Sequence, residues 1–266
     1  MVNGQLKAEK NMSIASRFKS IIGSVYNFGD IQLDTILNAV LRGLEVDGEN
    51  MDLNTFKQEL INEGNTASIL SKLRELLEFN PFVSNEFNWG TFLDNDDGKV
   101  LIIQLTGFSR DIQKIISELI LWDLWYYKLS TGSEDKPFIV VLDEAQNLDF
   151  SNDSPCGKIL SEGRKHGWSG WFATQSVKGN MTLEEASKLA NAGEKIYFHP
   201  TDVNDISKSL SQEFGDKSHW ESELSSLTKG YCIVQGSSLD SNGNIINPRP
   251  VAVKIDEITY DKPDEN

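Results

Sequence analysis

Cysteine, histidine, basic residues and long apolar runs are all scarce in this chain. Its 266 residues include two cysteines and three histidines. Cys156 and Cys232 stand far apart, and neither has a second Cys or a His at ligand spacing. That argues against a disulfide framework and a zinc site, and for a reducing, cytoplasmic setting. His166, His199 and His219 do not pair at metal-ligand spacing either. No Gly-x-Ser-x-Gly elbow or Cys/His pair supplies a nucleophile for acyl transfer. Lysine and arginine number 25 against 40 aspartates and glutamates, for a net charge of −15. A surface of that sign repels a phosphate backbone, so passive coating of DNA is disfavoured and nucleic acid needs a local basic site or a partner. The most apolar stretch, "IISELILWDLWYY" (115–127), is interrupted by Glu118 and Asp123 and is too short to span a bilayer. The opening "MVNGQLKAEKNM" lacks the apolar centre of a signal peptide. No membrane partner is expected.

What is present is a globular composition, 39% hydrophobic and 24% charged, on a length that suits one large core or two modest ones. Between residues 12 and 90 apolar side chains recur at helical spacing. Ile31, Ile36, Leu37, Val40, Leu41 and Leu44 form one stripe, and Ile69, Leu70, Leu73, Leu76 and Leu77 another. The turn-forming cluster "DNDDG" (94–98) then marks a change of character. Short apolar runs alternate with amphipathic stretches after it: "KVLIIQL" (99–105), a long helix over 111–129, "FIVVLDE" (138–144) and a helix entered at Ser154 and Pro155. "GWFAT" (170–174), a helix opened by "TLEE" (182–185), "KIYFHP" (195–200), the helical "DVNDISKSL" and "GYCIVQG" (230–236) follow. Apolar strands separated by helices predict an open α/β fold with a largely parallel sheet covered on both faces. The expected division is a helical subdomain over 1–97, an α/β lobe over 98–256 and a loose tail over 257–266.

In such a sheet ligands gather at the carboxyl edge of the strands, beside helix N-termini. "KPFIVVLDEAQNL" (136–148) drives an apolar strand toward that edge and sets Asp143 and Glu144 where it emerges. Adjacent residues leaving a strand point at different partners, which suits one acid to hold magnesium through water and the other to orient an attacking water. The plain alternative is that one of them caps the following turn. "LSEGRKHGWSGWFATQS" (160–176) adds Arg164 on a glycine-flanked turn and Gln175 at the end of the next strand. An amide there can sense phosphate or water, and a guanidinium can reach across a subunit boundary. The bland readings are that Arg164 neutralises a helix C-terminus and Gln175 caps a helix.

The ordered triple "VVLDEAQNL", "SEGRKHG" and "FATQS" resembles the HerA and FtsK type of RecA-like DNA-translocating ATPases, which include the conjugation ATPases. The resemblance spans about residues 98–237 and takes in "LSSLTKGYCIVQG" (224–236). Within that group it is most similar to the carboxyl-terminal part of the ATPases of DNA phosphorothioation-dependent restriction systems. It implies a RecA-like P-loop NTPase core, with Asp143 as the cofactor-binding Walker B residue that holds magnesium through water. Glu144 becomes the catalytic base, Gln175 the sensor and Arg164 the finger completing a neighbour's site. It also implies ATP and magnesium as cofactors of the full-length protein. The implied partners are other copies in a homo-oligomer, a hexameric ring, together with DNA and other restriction-system subunits. Gln146 departs from the pattern, since many relatives carry His there.

The larger departure is the P-loop. A phosphate-cradling G-x-x-x-x-G-K-[ST] needs glycines that expose backbone N–H groups, a Lys for the terminal phosphates and a hydroxyl for magnesium. Gly98-Lys99 is followed by Val100 and Gly157-Lys158 by Ile159, and neither is in register with an upstream glycine. The expectation is therefore a carboxyl-terminal portion of a longer ATPase that lacks the P-loop strand, with little nucleotide affinity by itself. The competing class is a non-catalytic scaffold lobe that docks restriction subunits. Trp122, Trp125, Tyr126 and Tyr127 suit the core better than base stacking. "TGSEDK" (131–136) is expected to be a solvated loop, and one of Trp168 and Trp171 is a candidate for a subunit interface.

Overall fold

A computed structural model describes residues 10–82, 89–93, 100–175, 187–189, 192–246 and 249–256. The turn cluster at 94–98, the box at 182–185 and the tail at 257–266 lie outside the described residues. Contacts divide the chain into two compact units, residues 1–140 with 147–170, and residues 141–146 with 171–266.

The first unit is built mainly from helices. They are α1 (Asn11–Val25), α2 (Asp30–Asp47), α3 (Leu53–Glu63), the short α4 (Ala67–Lys72), α5 (Arg74–Phe79) and α6 (Trp89–Leu93), then α7 (Arg110–Thr131) and α8 (Pro155–Glu162). On α2 only Ile36 and Val40 of the expected stripe are buried, joined by Ala39, while Leu37, Leu41 and Leu44 are half-buried and Ile31 is 84% exposed; α7 buries Ile112, Ile115, Ile116, Leu121, Trp122, Leu124 and Trp125. Burying side chains of this size stabilises by about 1.5–3 kcal/mol each. Starts are set locally. Asp52 accepts the Thr55 N–H at 2.8 Å to cap α3, and Ser154 accepts the Gly157 N–H at 3.0 Å to cap α8, with Pro155 in the first turn. Trp122 and Trp125 are core residues. Trp168 is buried too, packed edge-on against Phe138 with ring centroids 4.6 Å apart.

Strands β1 (Phe138–Leu142) and β2 (Trp168–Phe172) form a two-stranded sheet. Phe138 N–H donates to Gly167 O at 2.8 Å, and further along both strands Ala173 N–H donates to Leu142 O at 2.9 Å, so the pair is parallel. Gly167 makes the entry to β2 possible. Its φ is +76°, and a Cβ would lie 2.4 Å from the Ser133 carbonyl oxygen. The apolar run 99–105 does not become the expected strand: residues 100–105 take no strand conformation, and Val100 and Ile102 are about four-fifths exposed. An apolar strand is stable only when neighbours satisfy its backbone and cover its faces, and among the described residues β1 pairs with β2 alone.

In the second unit β3 (Lys195–Phe198), β4 (Tyr231–Gln235) and β7 (Val251–Lys254) form an antiparallel sheet in the order β3-β4-β7, and β5 (Ser238–Leu239) pairs with β6 (Ile245–Ile246). Among the described residues the expected parallel pairing is thus limited to β1 and β2. The reason is a helix count. Between β3 and β4 stand two helices, α9 (Val203–Phe214) and α10 (Lys217–Ser226), where the sequence indicates one. A single helix returns the chain parallel to its first strand, whereas a helical hairpin reverses it once more. Leu210, Trp220, Leu224, Leu227 and Ile233 form this unit's core, with Tyr197 packed against it. No helix among the described residues is long and apolar enough to cross a membrane.

Candidate functional site

The acidic pair emerges where β1 ends. Residues 143 and 144 form a turn that leads into a 3-10 turn over Ala145–Asn147. Asp143 Oδ1 accepts the Glu144 N–H at 2.9 Å, a local side chain-to-backbone bond that competes with continued strand pairing. Glu144 itself has φ +53°. For a residue with a Cβ this left-handed conformation costs on the order of 1 kcal/mol, and it is retained where surrounding bonds over-determine it. Ala145 is buried and its N–H donates to Ala173 O at 2.9 Å, which anchors the turn to the residue following β2.

The Glu144 carboxylate, though exposed, is held at both oxygens. Gln175 Nε2 donates to Oε1 at 2.6 Å. Gln146 Nε2 donates to Oε2, and the Gln146 Oε1 accepts from Thr174 Oγ1 at 2.8 Å. Thr201 Oγ1 reaches the Gln175 carbonyl at 3.5 Å. The end of β1 and the end of β2 thus form one polar cluster of Asp143, Glu144, Gln146, Thr174 and Gln175, all within the second unit. Asp143 and Glu144 are both exposed, as a metal or water ligand must be.

Hard carboxylate oxygens suit magnesium. Among the described residues no group of three or more His, Cys, Asp or Glu side chains is placed to hold a metal ion. A magnesium ion at Asp143 would therefore draw most of its ligands from phosphate and water, as that ion prefers.

Arg164 belongs to the first unit. It lies in the 3-10 turn Gly163–His166, its side chain is 89% exposed, and its Nε donates to Glu134 Oε1 at 2.7 Å. The partner comes from the loop 131–136, so that loop is more than solvated filler. An exposed pair of this kind contributes little to stability and exchanges readily.

Two features escape sequence reasoning. The Gly157-Lys158 pair owes its glycine to packing: a Cβ at Gly157 would lie 1.9 Å from the Ser151 carbonyl oxygen. Glu118, which merely interrupts an apolar run in the sequence, is a buried carboxyl on α7 whose Oε1 accepts the Asp149 N–H at 3.0 Å. Burial, helped by the Asp149 charge, raises its pKa to about 7 against the opposing Asp149 N–H and Lys114. An acid on the apolar stripe of a helix was the available signal.

No family model matches the chain, and no curated protein does. Thirteen chains of solved structures match it. One is the plasmid coupling protein TrwB in complex with a non-hydrolysable ATP analogue, with a TM-score of 0.64 and 14% sequence identity over 97% of this chain and 72% of that one. At that identity the likeness is one of fold, and this chain shares the fold of a nucleotide-binding coupling protein.

Proposed function

We propose that these residues are the carboxyl-terminal part of the ATP-hydrolysing core of a HerA- and FtsK-type DNA translocase. The motor would serve a bacterial phosphorothioation-dependent restriction system, with the P-loop supplied by polypeptide outside the 266 residues. The observation that carries this reading is the Glu144 carboxylate, presented on a left-handed turn at the end of β1 and bonded to Gln175 from the end of β2. The TrwB-like fold and that protein's bound ATP analogue support it. Asp143 would hold magnesium through water, and Glu144 would take the proton of the attacking water. Gln175, hydrogen-bonded to that base, would respond to the terminal phosphate. Arg164 would leave Glu134 for the phosphates of an adjacent copy, which requires a ring, and a hexamer matches the resemblance. The bound group would supply the scissile phosphoanhydride and its charge-neutralising metal.

The test is Glu144→Gln in the polypeptide that contains the P-loop. ATP binding persists and hydrolysis falls by about two to four orders of magnitude, the usual contribution of a general base. Unchanged turnover would remove Glu144 from the chemistry.

A docking lobe without turnover is the second reading, and one observation favours it. Ile196, Phe198, Val251 and Val253 share a sheet face with Cys232 and Val234, as the pairings Ile196 with Val234, Phe198 with Cys232 and Val253 with Cys232 require. Ile196 and Phe198 are still 56% and 52% exposed. Apolar surface of this kind calls for a covering partner. Reading the gene upstream of residue 1 for G-x-x-x-x-G-K-[ST] separates the two.

A further inference from the structure

Gln146 has no part in the scheme above, yet it is bonded on both sides of its amide. Its Nε2 donates to Glu144 Oε2 and its Oε1 accepts from Thr174 Oγ1 at 2.8 Å. The carboxylate selects this orientation of the amide, because turned over it would set oxygen against oxygen, and the Thr174 hydroxyl, which can donate or accept, completes the arrangement by donating to the amide oxygen. Gln146 and Thr174 are half-buried while Glu144 is exposed. Gln175 holds only the other carboxylate oxygen, Oε1. With Glu144 at φ +53°, its side chain leaves the turn in a direction that no strand or helix imposes, and these bonds define where the carboxylate points.

We infer that Gln146 is a positioning residue for Glu144, anchored by Thr174. It holds Oε2 from the turn after β1 so that Oε1 keeps its aim when Gln175 turns to another partner. This rests on Glu144 being the base. The tolerance for a misplaced base is narrow, since a displacement of about 1 Å can cost about a hundredfold in rate. Gln146→Ala should lower kcat for ATP by about tenfold and leave KM within about twofold. Thr174→Val should lower kcat by about threefold. The double variant should be no slower than Gln146→Ala, because the role assigned to the hydroxyl runs through the amide. Gln146→His, which can donate an N–H to the same oxygen, should recover most of the rate, whereas the isosteric Gln146→Glu should not.

The experiment measures ATP turnover by the P-loop-containing protein for these variants and for Glu144→Gln. It also follows the Gln146 side-chain amide of the 266-residue chain in 1H–15N spectra, with and without Thr174→Val. Slow exchange of that amide, accelerated by Thr174→Val, together with the rate order above supports the assignment. An inactive Glu144→Gln beside a fully active Gln146→Ala overturns the positioning role and leaves the base in place. Turnover that survives Glu144→Gln, or a wild type without turnover, removes the base and the positioning role together. If Gln146→Ala fails to fold, the other two variants decide: equal rates for Gln146→His and Gln146→Glu overturn the assignment. An amide that exchanges freely in the wild type overturns it without reference to catalysis.

Discussion

Replacing Glu118 by Gln should make the chain more stable in alkali and leave it nearly unchanged in acid. Glu118 is only 2% exposed, and burial raises its pKa from the usual 4.5 to about 7. A raised carboxyl pKa means that the folded state binds the proton more tightly than the unfolded state. The stabilisation is fully present below about pH 4.5 and is lost as pH rises through about pH 7. The shift corresponds to about 3 kcal/mol at about 1.4 kcal/mol per unit, and most of it develops between about pH 5 and about pH 8.5. Glutamine keeps an oxygen for the Asp149 N–H but carries no charge, so the variant escapes this loss. Any packing cost of its NH2 is common to both pH values and cancels in the difference. Urea unfolding followed by the fluorescence of buried Trp122 and Trp125 at the two pH values measures it. A difference between variant and wild type that does not change with pH would refute the reasoning, as would one that favours the variant in acid.

Three further outcomes follow from the geometry. Gly167→Ala forces a Cβ onto a φ of +76° and to 2.4 Å from Ser133 O, so it should lower stability by about 1–3 kcal/mol in thermal or urea unfolding; an unchanged midpoint would mean that the turn into β2 relaxes freely. Burial raises the thiol pKa of both Cys156 and Cys232, so neither should react with a disulfide reagent at neutral pH until the chain is unfolded, and rapid labelling of the native chain would contradict their burial. Arg164→Ala removes an 89% exposed side chain and should leave the melting temperature within experimental error while lowering ATP turnover of the assembled motor by about a thousandfold. Wild-type turnover in that variant would end its assignment as a finger.

Local pattern carried much of the architecture. The stripe of α7, the Ser154–Pro155 start of α8 and the apolar run ending in Asp143 and Glu144 are governed by side chains within a few residues of one another, and the chain folds there as the spacing indicates, whereas α2 leaves Ile31 of its expected stripe exposed. Pairing was less legible. The apolar run at 99–105 satisfies a strand's composition, yet residues 100–105 pair with no strand among the described residues, and the single helix expected before β4 is a hairpin that reverses the sheet.

The candidate site divides the same way. The sequence by itself determined which groups occupy the ends of β1 and β2: two acids, a threonine and two glutamines, because strand length and turn chemistry are short-range properties. Only the tertiary structure decided that Gln175 and Gln146 grip opposite oxygens of Glu144, that Thr174 donates to one of those amides, and that Arg164 meets Glu134. Thr174 and Gln175 stand 28 and 31 residues from their partners, and Arg164 stands 30 from Glu134. A hydrogen bond needs its atoms within a few tenths of an ångström of a set distance, a condition imposed by packed strands and turns and invisible to any pattern read along the chain.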